Sequence, residues 1–304
     1  MNERRTVSYF EPQFHSTATM KPSLFFERHG NAHMTDIAER GFDEVILCVT
    51  ELDMQTNDRR KLLGNLTEVA KEKGLLVTAD PWRVGGIFGG EGMSFYEQNG
   101  GKPCLCEPEL DNLLHQWIDT VAEAGIDRVF WDEPELECPD HNLSLELIDR
   151  FSQKALASGI AWNASCVRSR DPNTDLSDDV ASMTAINEIA VAPYPFHPEN
   201  PVQKTSAEVV GSIAPWFEKI RIAADKHGVS AQAWLQGFNI SPENMYSLEI
   251  YVQEIQRAKI GNIAVWGYDA CESVTCLNPK SSEPPQVIWE EVCRLMESSR
   301  QTHR

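Results

Sequence analysis

The sequence predicts an α/β fold, a (β/α)8 TIM barrel built as a single domain, and three observations carry that expectation. Short apolar runs alternate with amphipathic ones eight times along the 304 residues, the pattern of parallel strands joined by crossover helices. Gly41, Gly74, Gly125, Gly159, Gly228 and Gly261 follow the amphipathic runs, where a left-handed residue closes a helix. Polar and aromatic side chains gather at the C-terminal ends of the apolar runs, and a barrel of this kind fills roughly 250 residues. An open doubly wound sheet is the structural rival. Its first turn would be Glu27-Arg28-His29-Gly30-Asn31, which lacks the G-x-G-x-x-G of a dinucleotide site.

Residues 1–20 show no sustained period and read as an N-terminal arm, leaving 21–304 for the barrel. SLFFE is the first strand, and Met34, Ile37 and Ala38 mark the helix after it. EVILCVT precedes a helix through Leu62, Leu63, Leu66, Val69 and Ala70; LLVTAD is the third strand, followed at a distance by a helix through Leu110, Leu114, Trp117, Ile118 and Val121. The fourth strand is Ile126 to Glu135, with a helix over Leu145 to Ala157. IAWNAS, a helix near Asp178 to Asn187, and EIAVAPY come next. The helix from Ala207 to Lys226 contains Pro215, a residue that kinks or splits a helix. SAQAWLQ is the seventh strand; Ser241 and Pro242 supply an N-cap and first-turn proline to the next helix. NIAVWGY and a helix over Val287 to Met296 complete the chain.

A net charge of −19 opposes binding to nucleic acid or an anionic membrane. No apolar run has the roughly 20 residues of a spanning helix, and no signal peptide is legible at the N-terminus. A cytoplasmic protein is expected, with its eight cysteines as reduced thiols. A homo-oligomer is compatible with this pattern.

Barrel sites are assembled at the C-terminal strand ends. Read in order, those ends carry Arg28 and His29, then Glu51, then Asp80, Trp82 and Arg83. Trp131, Asp132, Glu133 and Glu135 follow on strand four, with Trp162 and Asn163 on strand five. Tyr194 and His197, Trp234 and Gln236, and Trp266, Tyr268 and Asp269 complete the rim. Indoles there offer flat apolar faces for sugar rings, although Trp131, Trp162 and Trp266 suit barrel packing equally well. Trp82 shares parity with Asp80, and Trp234 with Gln236, so each pair should face the same way. The connection 81–108 is glycine-rich, interleaved with Phe88, Phe95 and Tyr96, and far longer than such loops require; it is expected to fold over the site.

The Asp132-Glu133-Pro134 end of strand four, with Trp266 at the end of strand eight, resembles TIM-barrel glycoside hydrolases. In the large retaining clan of such enzymes that strand ends Asn-Glu, so the resemblance implies Glu133 as acid/base, with Asp132 in the Asn position. It also implies a nucleophilic Glu at the end of strand seven, where this chain has Gln236. Asp132 or Asp269, then Asp80 or Glu51, are the candidate partners. An Asp-Glu pair on strand four also resembles hexosaminidase-type barrels, in which a substrate acetamido group is the nucleophile. The chemistry needs one carboxylic acid to protonate the departing oxygen while negative charge supports an oxocarbenium-like centre. Trp131 and neighbouring carboxylates are expected to keep Glu133 protonated.

The resemblance thus implies a saccharide or glycoside substrate and no cofactor or metal, with the remaining rim residues binding substrate. Two other readings stay open. Glu133, His197 and Asp269 are distributed as in metal-dependent sugar isomerases of the xylose-isomerase type. Without an acid on strand seven, the chain could instead be a carbohydrate-binding barrel that performs no chemistry.

Overall fold

The computed structural model describes residues 3–13, 20–89, 94–134, 143–167, 176–196, 203–273 and 283–301. Eight parallel strands close into a barrel in sequence order: β1 (Arg4–Tyr9), β2 (Glu44–Cys48), β3 (Leu76–Asp80), β4 (Arg128–Trp131), β5 (Trp162–Val167), β6 (Glu188–Val191), β7 (Ser230–Gln236) and β8 (Asn262–Trp266). β1 pairs with both β2 and β8, which seals the ring.

That pairing corrects the reading of the N-terminus. Residues 4–9 are a barrel strand rather than part of an arm. SLFFE lies instead in helix: Pro22–Phe25 continues through a π-helical turn, Phe26–Gly30, into Asn31–Glu39. Phe25, Met34 and Ile37 are buried, so the apolar residues of this segment serve a helical face. Pro215 lies inside the helix Ser206–His227 without dividing it, whereas the helix before β6 is shorter than expected, Ser177–Ala181. Cys104 and Cys106 form a disulfide, against the expectation of thiols; Cys48, Cys166, Cys271 and Cys293 are free.

Strand pleating sends alternate residues to opposite sides. Val7, Tyr9, Val45, Leu47, Val77, Ala79, Val129 and Trp131 join the layer between barrel and helices. Trp131 is fully buried there between Trp117 and Phe88, its Nε1 donating to Asn163 Oδ1 at 3.2 Å. The inward set forms a separate cluster in which Ile46, Phe130, Ala164, Ala190, Trp234, Ala264 and Trp266 meet. Large rings are matched by alanines, which lets the interior fill without voids.

The N-terminal end of the barrel is closed by charge. Arg4 pairs with Glu44 and Glu188, and Arg128 Nε reaches Glu44 Oε1 at 2.9 Å. Thr6 and Thr78 donate to Glu44, and Asn262 to Glu188. Trp162 begins β5 rather than ending it, and the Arg128 guanidinium lies 4.5 Å from its ring centroid. Burial alone would raise the Glu44 carboxyl, but Arg4 and Arg128 hold it below the usual carboxylate range. Removing one member strands its partners in a dry place. Glu44→Ala is therefore expected to cost about 3 kcal/mol, measured by urea unfolding, and Glu44→Gln less, because an amide still accepts from Thr6 or Thr78.

Candidate active site

The C-terminal mouth is built on the inward parity of the strands. Asp80 closes β3 and is fully buried; Asp132, one residue past β4, is almost so. Asp80 Oδ2 faces the Cys48 thiol from β2 at 3.9 Å, and its Oδ1 is buried without a hydrogen-bond partner among the described residues. Burial, then the neighbouring Asp132 charge, pushes Asp80 well above the ordinary carboxylate range, and burial followed by Glu133 does the same to Asp132. Glu133 is half-buried, and its charge also acts on Cys166 of β5 and on Tyr194 beyond β6. Those two residues belong to the inward cluster or pack against it, so the Glu133 carboxylate is felt over the mouth. The Tyr194 hydroxyl is buried and without a hydrogen-bond partner among the described residues.

Aromatic rings cluster near these acids. Phe10 meets Trp82 and Trp266 at centroid distances of 4.6 and 4.9 Å, and Trp266 meets Trp82 and Trp234 at 5.0 and 5.5 Å. Trp234 is fixed by Nε1 donating to Gln232 Oε1 at 2.9 Å. Trp82 and Trp234 both belong to the inward cluster. Gln236, where the resemblance implies a nucleophile, is committed elsewhere: its amide nitrogen donates to the Phe196 carbonyl at 2.6 Å and its Oε1 accepts from Phe196 N at 3.1 Å.

The described part of the 81–108 connection contacts the end of β4. Val84, Ile87 and Phe88 are buried, Gly89 N donates to the Asp132 carbonyl at 3.2 Å, and Arg83 N donates to the Gly89 carbonyl at 3.1 Å. A Cβ on Gly89 would stand 2.1 Å from Asp132 Oδ2, so only glycine allows this approach. Glu51 holds the same loop, Oε1 accepting from Gly85 N and Oε2 from Tyr96 N, both at 2.8 Å. That engagement replaces the expected substrate contact. Arg83 makes a long pair with Glu97, 3.6 Å, at the edge of the loop.

Other expected rim residues lie elsewhere. Arg28 and His29 sit on the π-helical turn after β1, Arg28 exposed and the His29 ring against Phe25 and His33. Tyr268 turns outward, its hydroxyl donating to Asp36 Oδ2 at 3.2 Å and its ring meeting Tyr9 and Trp289. Asp269 is half-buried; burial and then Glu272 raise it to about 6, and its charge reaches Glu11 rather than the β4 pair. Glu135 and His197 lie outside the described residues.

Sequence reasoning missed Phe10 and Glu11, which follow β1, because that segment read as an arm. Glu11 is buried, accepts from Phe10 N at 3.0 Å and from Ser273 Oγ at 3.3 Å, and burial pushes it up to about 8. The signal was present as TVSYFE, an alternating β-rich run ending in an acid like the other strands. Left-handed backbone at Arg83 (φ 54°), Glu133 (φ 29°) and Asp269 (φ 50°) falls at the ends of β3, β4 and β8. Such strain concentrates at functional sites.

No protein-family model matches the chain, and no curated protein does. Solved structures do resemble it. A GH5_18 protein from Bifidobacterium longum subsp. infantis aligns over 98% of this chain and 79% of its own, with TM-score 0.69 and 12% identity. A GH5-4 broad-specificity endoglucanase from Clostridium longisporum aligns over 99% and 96%, with TM-score 0.64 and 12% identity. GH5_18 from Streptomyces cattleya, solved with GlcNAc, gives 98% and 80%, TM-score 0.63 and 16% identity. At such identities the likeness shows the fold alone: this chain shares a (β/α)8 barrel with these proteins.

Proposed function

We propose that the chain is a glycoside hydrolase in which Glu133 protonates the departing glycosidic oxygen. The observation that carries this reading is the gathering of Asp80, Asp132 and Glu133 at the barrel mouth beside a cluster of indoles, with no lysine or arginine among the described groups acting on the two aspartates. Burial among like charges favours the acid forms of Asp80 and Asp132, and a general acid needs a retained proton. Glu133, half-buried where Asp80 is closed off, is the one positioned to meet substrate.

Gln236 is the main departure from the retaining clan, and it favours a nucleophile carried by the substrate. An acetamido oxygen on an N-acetylhexosamine would supply the attack, with Asp132 orienting the group. Some of the structural relatives were solved with GlcNAc or Manβ1-4GlcNAc, which makes such sugars the first to assay. The same Gln236 bonding favours one competing reading, a barrel that binds saccharide without cleaving it.

A panel of unactivated gluco-, manno- and N-acetylglucosamine-containing oligosaccharides separates these readings. Turnover confined to N-acetylated sugars is expected; calorimetric binding without turnover of any member would select the binding barrel. Glu133→Gln should lower kcat roughly 100- to 10,000-fold, with a smaller loss on aryl glycosides whose leaving groups need no proton. Undiminished turnover of unactivated sugar in that variant removes Glu133 from the mechanism. Gly89→Ala should reduce activity by displacing the Asp132 carboxyl, read as a fall in kcat in a protein that still melts cooperatively.

Glu11 gives a stability test of the same acidic mouth. Its folded value of about 8 exceeds the ordinary 4.5, so its contribution to stability is full below 4.5 and is lost as pH rises through about 8. Glu11→Gln is expected to raise Tm relative to the parent at about pH 9, with the two converging under acid. Thermal melts across pH measure this directly.

A further inference from the structure

We propose that Asp80 at the end of β3 and Asp132 beyond β4 share one proton, Asp80 acting as a positioning residue that keeps the carboxyl beside Glu133 partly in its acid form. The bearing on catalysis rests on the reading above; the sharing itself is a property of the folded chain.

The geometry begins with register. β3 and β4 are hydrogen-bonded neighbours with Ala79 opposite Val129, so Asp80 stands beside Phe130, and Asp132 is the next inward position along the adjoining strand. Both side chains are removed from water. Asp80 has a weak thiol donor for one oxygen and none for the other among the described residues. A buried carboxyl oxygen left so costs free energy that a single O–H would recover.

Among the described residues the surroundings offer no cation in compensation. Glu11 follows β1, Cys48 comes from β2, Glu133 from the β4 end, Cys166 from β5 and Tyr194 from beyond β6. β7 presents Gln236, which is engaged with Phe196, and Asp269 and Cys271 after β8 act from the Glu11 side. The described groups facing the pair are thus acids, thiols, a phenol and an amide. Two carboxylates in such a place cannot both ionise near neutrality; a proton held by one and donated to the other satisfies both. The Asp132 O–H supplies the donor that Asp80 Oδ1 lacks. At the opposite end of the barrel, Glu44 and Glu188 are also buried, but Arg4 and Arg128 take the place of the proton.

Carbon-13 NMR of protein labelled at the aspartate carboxyl carbon tests this without any substrate. Two coupled steps are expected in the parent, and in Asp80→Asn the Asp132 midpoint should fall by about 1 pH unit or more. Asp132→Asn reads the reciprocal effect on Asp80, so the coupling remains measurable if only one variant folds. Midpoints unchanged by removal of the partner overturn the sharing and leave burial as two independent effects. For cleavable substrate, Asp80→Asn should also move the basic limb of the kcat profile to lower pH; a lower kcat with the limb in place overturns the positioning role. Failure to cleave any saccharide defeats the hydrolase reading but leaves the titration result standing, and an uncoupled titration with Glu133 still required defeats only the pair.

Discussion

Closing eight pleated strands into a ring forces half of their side chains into a space from which water is excluded, and everything at the mouth depends on how that space is filled. Along the barrel axis the filling changes character. Arg4, Glu44, Arg128 and Glu188 neutralise one another at the N-terminal end. Phe130, Trp234 and Trp266, with alanines from neighbouring strands, occupy the middle. Asp80 lies beside Phe130 at the C-terminal end of β3, and Asp132 is the next inward position, just past β4. The described partners of Arg4 and Arg128 are Glu44 and Glu188 at the N-terminal end, not the aspartates at the other.

The same residue chemistry therefore gives opposite electrostatics at the two ends. Glu44 is held ionised because its arginines outweigh burial, whereas Asp80 and Asp132 are driven toward the acid form because burial meets only like charge. The first arrangement contributes to stability, and the second opposes it above neutrality. A fold that tolerates the second is supported elsewhere. The loop after β3 is tied down by Glu51 through two backbone amides and by Gly89 against the end of β4.

Much of this was legible in the residues. Strand-helix alternation gave the closed barrel, and Trp82 and Trp234 fall together in the inward cluster. The failures were local and have physical reasons. SLFFE is too short for periodicity to distinguish strand from helix, and choosing it displaced the true first strand and hid Glu11. Trp131 was credited with shielding Glu133, but pleating turns it outward to Trp117 while the adjacent Asp132 turns inward. Beyond β8, Asp269, Ala270 and Cys271 adopt left-handed backbone in succession, and no alternation rule projects side chains through such a turn; Tyr268 accordingly faces Asp36 rather than the mouth.

Gln236 connects the architecture to the chemistry. An ionised Glu at that place could accept from Phe196 N, but it could not donate to the Phe196 carbonyl as the amide does. It would also bring another negative charge to a mouth where Asp80, Asp132 and Glu133 already act on one another. The amide therefore fixes the chain beyond β6 and spares the acids a further repulsion, so its presence is explained by the structure it holds. What it removes is a protein-borne nucleophile on β7. Among the described acids of the mouth, Asp80 and Asp132 stand at the ends of β3 and β4 and Glu11 beyond β1, so the proposed chemistry does not depend on β7.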